Sequence, residues 1–286
     1  MTRFAVLGHP VAHSLSPTMH AANFRSVGFD GYYEKFDVAP EDLADALRRL
    51  QGEGYAGLNI TVPHKVAVIP LLDRLDESVE LYGACNTVRF ETDGTRTGYN
   101  TDVAGFVSTL AAHGFSIKNR KVFVIGCGGA GTALAACACR EGASELTLAA
   151  RRAESVEPLA ARLRALGTGA SVVAMPSSDG TDSAAQKALW GEAATKADLV
   201  VNATPLGLRP GDPSALPQEC FHEGQFVLDI IPTREFPPTA AAARAAGATA
   251  VGGLEFLVGQ GAKSFEIWTG QAADRAAMLA SVAAKD

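Results

Sequence analysis

Two sets of residues in this 286-residue chain have the types and spacing to do chemistry. The first is the run Gly126-Cys127-Gly128-Gly129-Ala130-Gly131, which follows the β-favouring residues Val122–Ile125 and precedes an Ala/Leu-rich stretch. Gly126, Gly128 and Gly131 fit the G-x-G-x-x-G spacing in the strand–turn–helix context that a dinucleotide-binding turn needs. Gly126 permits the tight turn, Gly128 lets a pyrophosphate approach the backbone, and Gly131 lets the helix pack close to the strand. Gly129 and Ala130 complete the entry to that helix, whose free N–H groups and partial positive charge attract an anion. A glycine-rich turn used only for close packing is the plainer alternative.

The end of the next strand distinguishes the dinucleotides. An NAD site expects Asp or Glu there, about twenty residues on, to meet the ribose hydroxyls. This chain has Leu148-Ala149-Ala150-Arg151-Arg152-Ala153, with no acid before Glu154. Arg151 and Arg152 suit a 2′-phosphate through charge-assisted, bidentate hydrogen bonds, so the pattern favours NADP. Two solvated arginines at a helix start are disfavoured, because positive charge there opposes the helix dipole.

The second set is polar: Ser14-Leu15-Ser16-Pro17, then Asn59-Ile60-Thr61-Val62-Pro63-His64-Lys65, then Asn86-Thr87, then Asn100-Thr101-Asp102. Most of these lie where a strand-like run gives way to a loop or helix, the usual place for ligand groups in open sheets. Singly, each has a plain reading. Ser16 and Asp102 could be helix N-caps, Asn86 a turn residue, and Lys65 a solvated surface charge.

The elements that must position these residues alternate. Strands are expected at 3–7, 32–38, 57–62, 87–91 and 96–99, the last two around the turn Asp93-Gly94. Helices are expected at 17–27, with Ser16 as N-cap and Pro17 at the first position, and at 40–50, with 66–81 helical in pieces. A second regime begins near Lys121. Strands at 121–125, 145–149, 171–174, 199–202 and 226–230 are separated by helix-like stretches, the signature of a parallel sheet covered by helices. Residues 102–113 form the connecting helix, and 254–268 and 272–284 read as two more.

Composition limits the remaining possibilities. The length suggests two domains, and a 47% hydrophobic share can fill real cores. A net charge of −6 shows none of the concentrated positive field that nucleic-acid binders use. Five cysteines without regular spacing make no disulfide framework, and Cys137-Ala-Cys139 lacks the second pair that a metal site needs. The uncharged run 122–139 reaches the lower limit for a membrane span, but its glycines make a strand, turn and packed helix the better reading. The N-terminal apolar run is interrupted by Gly8, His9 and Pro10, too short for a signal-peptide core, so the reducing cytoplasm is the expected location. The expected assembly is a monomer or a homodimer.

Seven blocks, in order, resemble the shikimate dehydrogenase family: SLSP at 14–17, NITVPHK at 59–65, ACNTV at 84–88, GYNTD at 98–102, GCGGAG at 126–131, NATPLG at 202–207 and GGLEFLVGQGAKSFEIWTG at 252–270. The resemblance covers essentially the whole chain. It implies an α/β substrate domain over 1–101 plus 254–286, a Rossmann-type NADP domain over 102–253, and C-terminal helices that pack back on the first domain. The implied activity is hydride transfer that interconverts 3-dehydroshikimate and shikimate in aromatic amino acid biosynthesis. By motif, the catalytic pair falls on Lys65 and Asp102. Ser14 and Ser16 fall on the substrate carboxylate, with Asn59, Thr61, Asn86 and Gln260 around the ring hydroxyls. Thr204, Leu206 and Gly253 fall near the nicotinamide.

Three departures from the family pattern stand out. Asp229-Ile230-Ile231-Pro232 has Pro232 where the family carries a tyrosine that reaches the substrate. The following Thr-Pro pair becomes Pro237-Pro238-Thr239, and the usual Asn-Arg-Thr becomes Ala150-Arg151-Arg152. Pro232 leaves open a paralogue acting on quinate or an amino-substituted shikimate, with NAD as a further option. A nucleotide-binding sensor without catalysis is the alternative from another class.

Overall fold

The computed structural model describes residues 1–151, 153–175 and 184–283. The chain divides into two compact units, one formed by Met1–Ser108 with Phe256–Asp286 and the other by Thr109–Glu255. The divisions fall inside two helices rather than at their starts. Asp102 opens one of them and bonds to residues of the first unit, while Gly253 opens the other against Ile230 and Ile231 of the second.

The first unit contains β1 (Thr2–Gly8), α1 (Ser16–Ser26), β2 (Gly31–Asp37), α2 (Leu43–Gly52), β3 (Tyr55–Ile60), β4 (Arg74–Leu75), α3 (Glu77–Tyr82), β5 (Thr87–Phe90), β6 (Arg96–Tyr99) and the start of α4 (Asp102–Ala112). Its sheet runs β2-β1-β3-β5-β6-β4. The β1–β2, β1–β3 and β4–β6 pairs are parallel, whereas β3–β5 and β5–β6 are antiparallel. Both faces of β1 are covered. Ala5 and Leu7 pack with Leu43, Leu47, Leu50, Leu58 and Ile60. Phe4 and Val6, one residue out of phase, join Phe24, Tyr33 and Phe265 on the opposite face, as the two-residue strand period requires. Helix α2 reaches the first layer through Leu43, Ala46, Leu47 and Leu50, spaced to form one helical stripe.

The local readings are corrected at four places: Ser16, residues 40–50, residues 66–81, and the strand expected at 57–62, which instead spans Tyr55–Ile60 and leaves Thr61 and Val62 in the following turn. Ser16 is the first residue of α1 and not its N-cap; Leu15 takes that place without a side-chain cap bond. Residues 40–50 begin as a 3₁₀ turn at Pro40–Asp42 before the α-helix starts. Strand β4 has two residues, so it carries no periodic signal within 66–81.

The second unit continues α4 and adds β7 (Lys121–Ile125), α5 (Gly129–Arg140), β8 (Glu145–Ala149), α6 (Ala153–Ala165), β9 (Ser171–Ala174), α7 (Ala184–Lys196), β10 (Leu199–Asn202), β11 (Phe226–Asp229), α8 (Pro238–Ala245), β12 (Thr249–Val251) and the start of α9 (Gly253–Thr269). Every neighbouring pair in its sheet is parallel, in the order β12-β11-β10-β7-β8-β9. This is the doubly wound order, with its switch point between β7 and β10. The uncharged run resolves into buried β7, the glycine turn and α5, whose residues Ala133–Cys139 are buried without exception. Apart from Leu134 these side chains are Ala and Cys, small enough for α5 to lie close to the sheet. No helix among the described residues is long and apolar enough to cross a membrane.

The rest of α9 and α10 (Arg275–Val282) belong to the first unit, where α10 packs on α1. Trp268 of α9 stacks on Phe4 at 4.8 Å between ring centroids and donates from Nε1 to the Val88 carbonyl at 3.0 Å. Gly57 of β3 makes room for it: a Cβ there would lie 2.2 Å from Trp268 Nε1. Gly57→Ala should therefore push the indole off β3 and break its hydrogen bond, costing about 1–3 kcal/mol as overpacking. Thermal unfolding should show a melting temperature lowered by roughly 3–8 °C; an unchanged value would mean that the indole is not seated there.

Candidate active site and nucleotide cradle

After β3 the chain turns sharply. His64 N–H donates to the Thr61 carbonyl at 2.9 Å, and the buried His64 ring bonds through Nε2 to the Val38 carbonyl at 2.8 Å. The Lys65 carbonyl accepts from Cys85 N–H at 2.8 Å, which fixes the backbone beside the segment leading to β5. From there Lys65 Nζ donates to Asp102 Oδ2 at 2.5 Å. The two side chains are 13% and 2% exposed, so Lys65 is not a solvated surface charge. Asp102 is not a simple cap either: its own N–H is held by Asn100 Oδ1 at 3.1 Å, and its carboxylate lies at the positive end of α4.

Asn86 supports the pair from below. Its Oδ1 accepts from Thr101 N–H at 2.8 Å, which orients the amide and turns Nδ2 toward Asp102 Oδ1 at 2.8 Å and Gln260 Oε1 at 3.3 Å. Asn59 is held as firmly. Its Oδ1 accepts from Tyr33 Oη at 2.7 Å, and its Nδ2 donates to the Asn86 carbonyl, Thr87 Oγ1 and Ser264 Oγ at 2.9–3.1 Å. Burial pushes the Tyr33 phenol well above its ordinary pKa, against a downward pull from Ser16, so it stays protonated and donates. The buried His20 ring stacks on Tyr33 at 4.4 Å, and burial lowers its pKa to about 3, leaving a neutral imidazole.

The structure thus brings Lys65, Asp102, Asn86, Asn59 and Gln260 into one hydrogen-bonded group, with Ser16 joined to it through Tyr33. Ser14 Oγ accepts from Ser16 N–H at 3.3 Å. Thr61 follows β3 with its methyl against Gly8, where a Cβ would lie 2.4 Å away. Sequence reasoning missed Tyr33 and Ser264 altogether and did not rank Thr87 and Thr101 as site residues. Ser264 had a usable signal, since it lies one helical turn after Gln260 on the same face.

The cradle of the second unit sits at the ends of β7 and β10. Gly126 has φ +105°, and a Cβ there would lie 2.7 Å from the Ala203 carbonyl oxygen. A Cβ on Gly131 would come within 1.9 Å of the Gly126 carbonyl oxygen, so this glycine is required by the turn itself. A Cβ on Gly128 would meet nothing within 4 Å, which leaves its side open to a ligand. Gly128 is also the N-cap of the twelve-residue α5 and offers no side chain to its N–H groups. Gly129, Ala130 and Gly131 form the first turn. Arg151 is exposed just after β8; Arg152 lies outside the described residues. A dinucleotide phosphate fits this donor set.

Beyond β10, buried Asn202 organises the NATPLG loop. Its Oδ1 accepts from Thr204 N–H and Thr204 Oγ1 at 3.1 and 2.8 Å, and its Nδ2 donates to the Leu206 carbonyl at 3.3 Å. Asp229, at the end of β11, has a carboxyl pushed up to about 6 by burial, and its Oδ1 accepts from Ile231 N–H at 3.1 Å. Gly253 has a packing reason of its own, since a Cβ there would lie 2.4 Å from the Ile230 backbone.

Residues 6–88 match the family model described as the shikimate dehydrogenase substrate binding domain, and residues 253–283 match the shikimate 5′-dehydrogenase C-terminal domain. The shikimate dehydrogenase (NADP(+)) of Rubrobacter xylanophilus is 41% identical over 275 residues, covering 96% of this chain and 92% of the relative. The structure of shikimate 5-dehydrogenase from Thermus thermophilus, in complex with NADP(H) and shikimate, matches with a TM-score of 0.84 at 35% identity, over 99% of this chain and 98% of that one. A 5-ketofructose reductase of a Gluconobacter strain matches with a TM-score of 0.83 at 31% identity, over 98% and 97% of the two chains. The ordered motifs, the two folds and relatives of this identity across nearly the full length lead to one conclusion: this chain belongs to the shikimate dehydrogenase family.

Proposed function

We propose that the protein is an NADP-dependent oxidoreductase that interconverts 3-dehydroshikimate and shikimate, a step in aromatic amino acid biosynthesis. The observation that carries this reading is the buried Lys65–Asp102 pair, in a chain 41% identical over 275 residues to a relative that bears that name. NADP at the cradle would supply or accept the hydride at the alcohol carbon. The protein has to manage the proton at the alcohol oxygen and the geometry around it.

Lys65 is the group that exchanges that proton, and Asp102 orients it. Asp102 accepts from Lys65 on one oxygen and from Asn86 on the other, so its direction is set before substrate arrives. Ser14 and Ser16 face the substrate carboxylate, and Asn59, Thr61, Asn86 and Gln260 face the ring hydroxyls. Both Asn59 amide hydrogens are engaged internally, so what it presents to a ligand is the remaining Oδ1 lone pair. Such a site rejects an acid with a missing hydroxyl, because its own polar groups are then left unpaired. On the nucleotide side, Gly126, Gly128, Gly129, Ala130 and Gly131 hold the pyrophosphate. Arg151, with Arg152, meets the 2′-phosphate, and Thr204, Leu206 and Gly253 line the nicotinamide end.

Pro232 favours a second reading, in which the preferred acid is quinate or an amino-substituted shikimate. The ring removes a phenolic hydrogen bond and restricts the backbone where the family carries tyrosine. Comparing kcat/KM for shikimate, quinate and aminoshikimate, each with NADP and NAD, separates the two readings; shikimate with NADP should lead. No turnover with any of them would leave the non-catalytic sensor. The five unpaired cysteines suit a reducing cytoplasm.

Two substitutions test the roles. Lys65→Ala should lower kcat by about 10²–10⁴-fold, the usual worth of a positioned acid–base group, with KM for NADP little changed. Activity equal to wild type would remove Lys65 from the chemistry. Arg151→Ala should raise KM for NADP by roughly 10–100-fold while leaving KM for NAD nearly alone, as loss of a charge-assisted phosphate contact requires. Equal effects on both cofactors would contradict the phosphate contact.

A further inference from the structure

Ser264 is fully buried on α9 and lies at the centre of the polar group beneath the reacting pair. Its Oγ is 3.0 Å from the Gln260 carbonyl, 2.9 Å from Asn59 Nδ2, 2.8 Å from Thr87 Oγ1 and 3.1 Å from Thr101 Oγ1. Asn59 Nδ2 only donates and the Gln260 carbonyl only accepts, whereas each hydroxyl has one hydrogen and two lone pairs. With its hydrogen on the Gln260 carbonyl, Ser264 has two lone pairs to fill. Asn59 takes one, and Thr87, the nearer threonine, takes the other.

That choice matters one residue away. Asn86 Oδ1 has two lone pairs and three donors within reach: Thr101 N–H at 2.8 Å, with Thr101 Oγ1 and Thr87 Oγ1 both at 3.1 Å. Ser264 draws the Thr87 hydrogen away, so Asn86 Oδ1 is matched by Thr101 alone, through its N–H and its hydroxyl. Without Ser264, the Thr87 hydrogen has only the filled Asn86 Oδ1 or the longer 3.3 Å contact with Thr101 Oγ1. Asn86 is the residue whose Nδ2 holds Asp102.

We propose that Ser264 is a positioning residue for the reaction: its hydroxyl sets the direction of the hydrogen bonds through Thr87 and Thr101, which holds Asn86 with its amide nitrogen on Asp102. This rests on the reading of Lys65 and Asp102 as the proton-handling pair. The device is remote in sequence, joining α9 to β3, β5 and the start of α4, and it uses a hydroxyl that touches neither of the two reacting side chains. A residue that only filled space at this position would give the same kinetics as a thiol or a methyl.

Ser264→Ala and Ser264→Cys, compared with wild type, test it; the thiol keeps the volume and is a weak hydrogen-bonding group. In both variants kcat for shikimate oxidation should fall about tenfold, the equivalent of one buried hydrogen bond, with KM for NADP within about twofold of wild type. Hydrogen exchange of the Asn59 and Asn86 side-chain amides, followed by NMR, reads the network without turnover. It should speed up by about tenfold in both variants, on the same reasoning. Unchanged exchange, or unchanged kcat in a folded variant, overturns the proposal. If wild type fails to oxidise shikimate, the proposed function falls, and the amide exchange still decides whether Ser264 holds Asn86. The cysteine variant covers the case in which the alanine variant does not fold.

Discussion

An ammonium and a carboxylate withdrawn from water are stable together only when the hydrogen-bonding capacity left on each is met. The Lys65–Asp102 pair imposes that condition on the first unit. Asp102 Oδ1 needs a donor, which is Asn86; Asn86 needs acceptance of Thr101 N–H to face the right way; and the hydroxyls of Thr87, Thr101 and Ser264 need one another. These residues come from the ends of β5 and β6, the start of α4 and the middle of α9. The sheet order β1-β3-β5-β6 and the return of α9 are what bring them together. Removing one partner leaves a buried charge or dipole uncompensated, which costs more than an exposed ion pair ever contributes.

The second unit solves a different electrostatic problem with backbone rather than side chains. A pyrophosphate is attracted by N–H groups at a helix start, which need no ionised residue. What the site requires is close approach, and glycine provides it at two places for two reasons. Gly131 is required by the turn, whose carbonyl would collide with any Cβ, whereas a Cβ on Gly128 would meet nothing within 4 Å. Asn202 performs for the NATPLG loop what Asn86 performs for Asp102, fixing an irregular segment through both ends of one buried amide.

How much of this was legible in the sequence follows from how local each cause is. The glycine turn was legible because its steric demands act over six residues and leave a spacing. The central strands β7, β8, β10 and β11 were legible because burial on both faces makes them nearly continuously apolar, whereas the edge strand β9 is half exposed. The three-residue β12 and two-residue β4 were too short to carry a period. The partnership of Lys65 with Asp102 was readable only through resemblance, since 37 positions separate them and nothing local links the two. Ser16 looked like an N-cap by residue type, but its role is tertiary, beside Tyr33. Ser264 was the hardest to see. Its partners Asn59 and Thr87 lie 205 and 177 residues away, and a serine inside a helix gives no outward sign of them.

The most direct test of Lys65 as the proton carrier is chemical rescue. In Lys65→Ala the lost ammonium leaves a small gap beside Asp102, in a position that retains some access to solvent. If Lys65 exchanges the proton at the alcohol oxygen, small primary amines added to this variant should restore shikimate oxidation in proportion to the concentration of free amine, and should leave wild type unaffected. A variant that is folded, binds shikimate and NADP, and yet gains nothing from any amine would contradict that role.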